Sequence, residues 1–209
     1  MNSEKKDKIL SIAVVLILAS QVLLFLVSWL ITAASPEISV HSLLGSEGLR
    51  WFFGNFVGNV STPPLVWIII LAMAFSAIRE SMIIDTIFMK RDMWSYRQRF
   101  AIKIVAAELV TFVAIIVVLA FIPHAELLSA TGRLFPSPFS HSLIPTIGLA
   151  LVIVAVSFGL LVGVFRSISD VINAMVKGIG KAAPLMLIYI IGAELFFSIG
   201  YVFGLDLLN

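Results

Sequence analysis

Five apolar stretches recur along the chain, at residues 9–33, 63–84, 103–122, 143–165 and 184–205. Each reaches the roughly 20 residues that a helix needs to cross a hydrocarbon core. Residues 46–60 differ in kind. Here Leu49, Phe52, Phe53, Phe56, Val57 and Val60 repeat at i, i+3, i+4, i+7, while Arg50, Asn55 and Asn59 take the other side. That pattern predicts an amphipathic helix lying in the interface or packed shallowly on the bundle, with Ser46 as its N-cap. The expected fold is therefore all-α: one transmembrane domain over 1–209, a polytopic bundle of five spans plus a periplasmic interfacial amphipathic helix.

Prolines punctuate the pattern. Pro36 and Pro123 close the first and third spans, and Pro63 opens the second, since proline fits the first turn of a helix and disfavours helical geometry just before itself. The second span is expected to run past Arg79-Glu80 and continue through 81–89. Residues 90–103 read as a basic connector, and 169–181 as a short cytoplasmic segment separate from a fifth span that opens at Pro184.

Composition agrees with the pattern: 60% of residues are hydrophobic and 12% charged, far from the roughly 25% charged of soluble domains. The formal charge of +2 does not point to nucleic acid, because the basic residues lie between apolar runs, where they set orientation. With the N-terminus inside, Lys5, Lys6, Lys8, Arg79, Lys90, Arg91, Arg97, Arg99, Lys103, Arg166, Lys177 and Lys181 fall on the cytoplasmic side. Arg50 and Arg133 alone fall outside. The expected location is a bacterial inner membrane, with a cytoplasmic N-terminus and a periplasmic C-terminus. The charged residues 1–8 precede an apolar run too long for a cleaved leader, so that run reads as a first anchor. The absence of cysteine removes disulfides, thiolate metal sites and iron–sulfur clusters.

Ionisable groups at membrane depth are the first candidates for chemistry, because each costs about 2.5–3.5 kcal/mol at a helix centre unless paired or wetted. Glu194 lies near the middle of the fifth span, Glu108 a little inside the third, and Arg79-Glu80 at the end of the second. Glu194 reads either as a coupling-ion or proton site or as one end of a packing hydrogen bond. Glu108 could reach Lys103, and Arg79-Glu80 could snorkel to the interface. Gly159, Gly163, Gly192, Gly200 and Gly204 bring small residues to spacings that let helix backbones approach closely, within the chain or between subunits. His41, His124 and His141 lack metal-ligand spacing. No catalytic triad, carboxylate pair, metal motif or phosphate loop is present, so neither enzymatic activity nor a cofactor is expected. The expected partners are the lipid bilayer, a second copy or another membrane protein, and a small-molecule substrate remains open.

Several collinear motifs carry a family resemblance. Thr131-Gly-Arg-Leu-Phe-Pro-Ser-Pro-Phe139, then Leu143-Ile144-Pro145, Phe158-Gly159, Gly163 and the Arg166–Asp170 patch resemble the AbgT family of p-aminobenzoyl-glutamate transporters. Upstream, residues 42–59 are similar to that family's periplasmic amphipathic stretch. Ile78-Arg79-Glu80-Ser81 stands where the family has Val-Ala-Glu-x-Ser-Gly. The resemblance implies a dimeric scaffold of helices carrying substrate-binding re-entrant hairpins. This chain departs from it: a short basic connector links the second and third spans where the first hairpin is expected, and the sequence stops after the fifth span, before the second. Glu194 replaces a family Gln, and Tyr201-Val-Phe-Gly-Leu205 replaces Ser-Asn-x-Gly. The resemblance thus leads to a dimeric scaffold or accessory subunit without the hairpins, or alternatively a minimal oligomeric transporter of a small organic anion or drug that uses Glu194 and Glu108.

Overall fold

The computed structural model of the chain describes residues 3–35, 37–90, 93–121 and 138–205. Seven α-helices occur among them: α1 (Ser3–Ala34), α2 (Ser46–Val60), α3 (Pro63–Glu80), α4 (Ile83–Phe88), α5 (Tyr96–Phe121), α6 (Pro138–Val162) and α7 (Ile168–Phe203). Five stretches are long and apolar enough to cross a membrane: Lys8–Ala34, Ser46–Glu80, Tyr96–Leu119, Ser142–Val162 and Ile168–Phe203. The all-helical membrane class expected from the sequence is the one observed. The proline-rich turn at 131–137, with Arg133, lies outside the described residues, as do Arg91, His124 and Asp206.

Helix boundaries depart from the sequence pattern where polar side chains bond to backbone. The second span does not run on through residue 81. Ser81 donates to the Ile78 carbonyl at 2.8 Å and its hydroxyl accepts the Ile83 N–H at 3.4 Å, a local alternative to the helix ladder. Met82 then adopts a left-handed conformation, φ 61°, before α4 begins. The basic connector is also partly helical. Ser95 and Gln98 exchange bonds, Ser95 N–H to Oε1 at 2.8 Å and Gln98 N–H to Oγ at 3.3 Å, so a capping box starts α5 at Tyr96.

Residues 163–167 form a turn built from both neighbours. Gly163, φ 85°, ends α6, its N–H bonded to Leu160 O and that of Val164 to Gly159 O, a Schellman closure. Asp170 then accepts the N–H groups of Arg166 and Ser167, and Ser167 Oγ accepts that of Asp170. The Arg166–Asp170 patch is thus the capping box that opens α7. The fifth span and 169–181 are one helix, not two. Pro184 lies inside α7; membrane helices tolerate proline where neighbouring groups or local backbone adjustment re-satisfy the carbonyl it frees. At 36 residues α7 has well over the roughly 20 that a hydrocarbon core requires. Ser46 is not the N-cap of α2; Gly45 holds that place without a side-chain bond.

The chain divides into two compact units, Met1–Leu65 with Ala183–Asn209, and Val66–Ala182. In the first unit, Trp51 stacks on Tyr201, Asn59 bonds Glu194 and Thr62 bonds Tyr189. The order of these pairs runs α2 and the start of α3 antiparallel to the end of α7. On α1, Gln21 meets Ser198 and Phe25 meets Phe52 edge to face, 5.1 Å between ring centres. The Ser28 hydroxyl accepts the Leu43 N–H at 3.2 Å, which fixes the loop between α1 and α2. Gly48 lies so close to that loop that a Cβ would come within 2.1 Å of the Ser42 carbonyl oxygen. Along α2, Asn59 is buried while Phe53 and Val57 of the apolar stripe are about three-quarters exposed; Arg50 and Asn55 are also exposed and Phe52 is partly covered.

In the second unit, α5 and α6 share the broadest contact. Ile83, Ala101, Val105, Val154 and Phe158 form its buried core. Phe165 folds back over Gly159, where a Cβ would lie 2.3 Å from the ring. Gly178 of α7 touches α3 backbone to backbone, since its Cβ would come 2.1 Å from the Ala72 oxygen.

Two glycine substitutions separate these demands. Gly163→Ala places a Cβ on a left-handed residue and is expected to cost about 1–2 kcal/mol. Gly180→Ala, in helix with open space around its Cβ, is expected to be neutral or stabilising by up to about 1 kcal/mol. Unfolding in detergent, followed by far-UV circular dichroism, checks both.

Candidate functional site

The candidate site is a polar seam inside the first unit. On α7, Glu194, Ser198 and Tyr201 stand at i, i+4 and i+7, a spacing that stacks them on one face. Each meets a different partner: Asn59 of α2 for Glu194, Gln21 of α1 for Ser198, and Trp51 of α2 for Tyr201. The Trp51 and Tyr201 rings lie 4.3 Å apart at 19°, and His41 approaches Tyr201 from the loop at 5.4 Å. The His41 N–H also bonds the Val202 carbonyl at 2.9 Å. One turn before Glu194, Tyr189 shares a hydrogen bond with Thr62. The seam therefore ties α1, α2 and the start of α3 to one face of α7.

Glu194 is the most constrained member, only 4% exposed. Asn59 Nδ2 donates to its Oε2 at 3.2 Å, while its Oε1 is enclosed without a hydrogen-bond partner. Gln21 repeats the arrangement: Nε2 donates to Ser198 Oγ at 2.9 Å and Oε1 is enclosed without a partner. A carboxylate has about four lone-pair positions to satisfy, and here the described residues satisfy one. Such a group can hold a proton, accept a further donor, or contribute an oxygen to a small cation. Its hydrogen bond also joins α2 to α7, which is a packing role.

The other sequence candidates lie in the second unit, apart from chain positions 200 and 204 and Gly192. Glu108 makes no ion pair with Lys103; its Oε2 is enclosed without a partner, in a shallow groove of about 320 Å³ formed by α5 and Ile153 of α6. A separation of five residues turns the two side chains to different faces of α5, which explains the missing pair. Glu80 pairs with Lys177 at 2.7 Å and lies 4.0 Å from Lys181. Arg79 lines a separate cleft with Ser76 and Lys181.

The glycines divide by role. Gly159 receives the Phe165 ring. Gly163 and Gly204, with φ of 85° and 63°, close α6 and α7, and the Gly200 carbonyl accepts the Leu205 N–H at 2.8 Å. Gly163 and Gly204 end helices; close approaches occur at Gly48 against the preceding loop, at Gly148 against the Ile70 side chain and at Gly178 against the Ala72 backbone. A Cβ at Gly192 would meet nothing; the residue lines an apolar crevice of about 520 Å³ beside Pro63, Pro64 and Phe196.

Sequence reasoning placed Glu194 but not its neighbours. Gln21 and Ser28 were visible as isolated polar residues in an apolar span, and Ser198 as the residue one turn beyond Glu194. Nothing in the sequence said which of them would meet.

Residues 89–201 match the family model of the AbgT putative transporter family. No curated protein and no solved structure matches the chain.

The Asn59–Glu194 bond is open to a double-mutant cycle with Asn59→Ala and Glu194→Ala. Hydrogen bonds between membrane helices average about 0.6 kcal/mol and reach about 1.7, so a coupling energy in that range is expected from unfolding in detergent. Glu194→Gln preserves an acceptor for Asn59 and is expected to retain most of the stability that Glu194→Ala loses.

Proposed function

The chain belongs to the AbgT putative transporter family, and on that premise we propose that it is an inner-membrane scaffold or accessory subunit that acts as a dimer or docks on another membrane protein. The observation that carries this reading is how the seam uses its polar side chains. Glu194, Ser198, Tyr189 and Ser28 each bond to another helix or its connecting loop, so polarity goes mainly into joining elements. Polar groups elsewhere cap helices, as at Ser95–Gln98 and Ser167–Asp170. Among the described residues, the connection from α3 to α5 contains the six-residue α4, where the family resemblance implies a re-entrant hairpin. Carriers seat cargo where discontinuous helices meet across paired repeats, and this connection supplies little to build such a seat. The N-terminus is cytoplasmic in this reading, the C-terminus periplasmic, and the protein performs no catalysis.

A second reading draws on the enclosed, unpartnered oxygens of Glu194 and Gln21. Buried ionisable groups in membranes commonly mark ion or proton paths. If two or more subunits enclose this seam, Glu194 is the coupling group of a minimal transporter for a small organic anion.

Reconstitution in proteoliposomes decides between them. The scaffold reading expects no uptake of p-aminobenzoyl-glutamate or related organic anions above protein-free vesicles, and a dimer or larger complex by mass in mild detergent. Uptake that Glu194→Gln abolishes would overturn it in favour of the transporter. A lone monomer without uptake would remove both.

A further inference from the structure

A mostly apolar cleft of about 470 Å³ with a basic rim lies between α3 and the first half of α7 in the second unit. Arg79 and Lys181 stand on its rim, and Ala72, Phe75 and Ser76 line it below them. It exists because Gly178 lets the two helices touch backbone to backbone at Ala72. Any side chain there would part the helices.

The two cations are only weakly engaged. Glu80 takes Lys177 at 2.7 Å and reaches Lys181 only at 4.0 Å, the outer limit of an ion pair. Among the described residues no carboxylate lies within ion-pair distance of Arg79. The Lys181 side chain is 65% exposed. Below them, Ser76 is buried and its hydroxyl has no hydrogen-bond partner. A helical serine ordinarily bonds back to the carbonyl one turn earlier, so this is an unused donor enclosed in the cleft wall. Phe75, 60% exposed, adds an apolar wall.

We propose that this cleft binds a phosphate group, carried by the headgroup of an anionic phospholipid. Arg79 offers a planar fork for two phosphate oxygens and Lys181 a compact charge for a third. The exposed Phe75 ring suits the glycerol and upper acyl region, which soluble phosphate lacks. Basic pockets between membrane helices on the cytoplasmic side are where such headgroups bind, and the distribution of Lys and Arg along the chain puts Arg79 and Lys181 on that side. The proposal is independent of whether the protein transports anything.

Native mass spectrometry of the full chain in mild detergent, titrated with phosphatidylglycerol, tests it. At about 1 kcal/mol per cation near a charged lipid surface, Arg79→Gln and Lys181→Gln should each weaken binding about fivefold, and the double variant about thirtyfold. Lys103→Gln, which removes a cation on α5, should leave binding unchanged. Both rim positions are exposed, so the variants are expected to fold, and circular dichroism verifies this. Phosphatidylcholine, whose own cation opposes Arg79 and Lys181, should bind more weakly than phosphatidylglycerol. Inorganic phosphate separates the two sources of the group: failure to displace the lipid supports the phospholipid, and displacement at equal concentration assigns the cleft to soluble phosphate and overturns the lipid. Retention of phosphatidylglycerol by the double variant, or an equal loss in Lys103→Gln, overturns the proposal.

Discussion

Hydrocarbon offers no hydrogen bonds, and that constraint shapes every part of this protein. A backbone or side-chain polar group inside a membrane must find its partner within the protein or bear a cost of several kcal/mol. Helices satisfy the backbone by construction, so the described residues are almost wholly helical. Side chains such as Glu194, Asn59, Gln21 and Ser198 have no such automatic solution. Among the described residues their partners are one another, with Glu194 Oε1 and Gln21 Oε1 left over, and that pairing fixes how α1, α2 and α7 meet.

The same constraint draws one polar residue of α2 inward. In a soluble amphipathic helix Asn59 would face out; here it is enclosed against Glu194, while Phe53 and Val57 are exposed. Without water to drive apolar surfaces together, polar bonds and close backbone approach do much of the work of association. Gly178 supplies such an approach between α3 and α7, and Gly48 one between α2 and the loop before it, each at a point where even a methyl group would collide with backbone. The second unit adds a conventional apolar core around Phe158, with Gly159 making room for Phe165.

Helix ends were the least legible part of the sequence. Ser95-x-x-Gln98 and Ser167-x-x-Asp170 are readable capping signals, yet the surrounding basic and polar residues made both resemble connectors. Ser81 ends α3 through bonds to its own neighbourhood, and hydropathy carries no trace of that. Pro184 misled in the opposite direction, because a proline that starts helices in soluble proteins is tolerated within them in membranes. Gly163 and Gly204 shared a spacing with packing glycines, but their positive φ values belong to helix ends.

Hydrophobicity alone determined the class of this protein, the number of apolar stretches and the isolation of Glu194 among them, because the length and polarity of a segment decide whether it can enter a bilayer. Its motif order likewise revealed the family. The partners were decided by tertiary structure: Glu194 with Asn59, Gln21 with Ser198, Trp51 with Tyr201, Glu80 with Lys177. These pairs join residues from about 97 to 177 positions apart in the chain. Hydropathy is a property of each residue and its near neighbours, whereas a hydrogen bond depends on where two distant helices place their side chains in space.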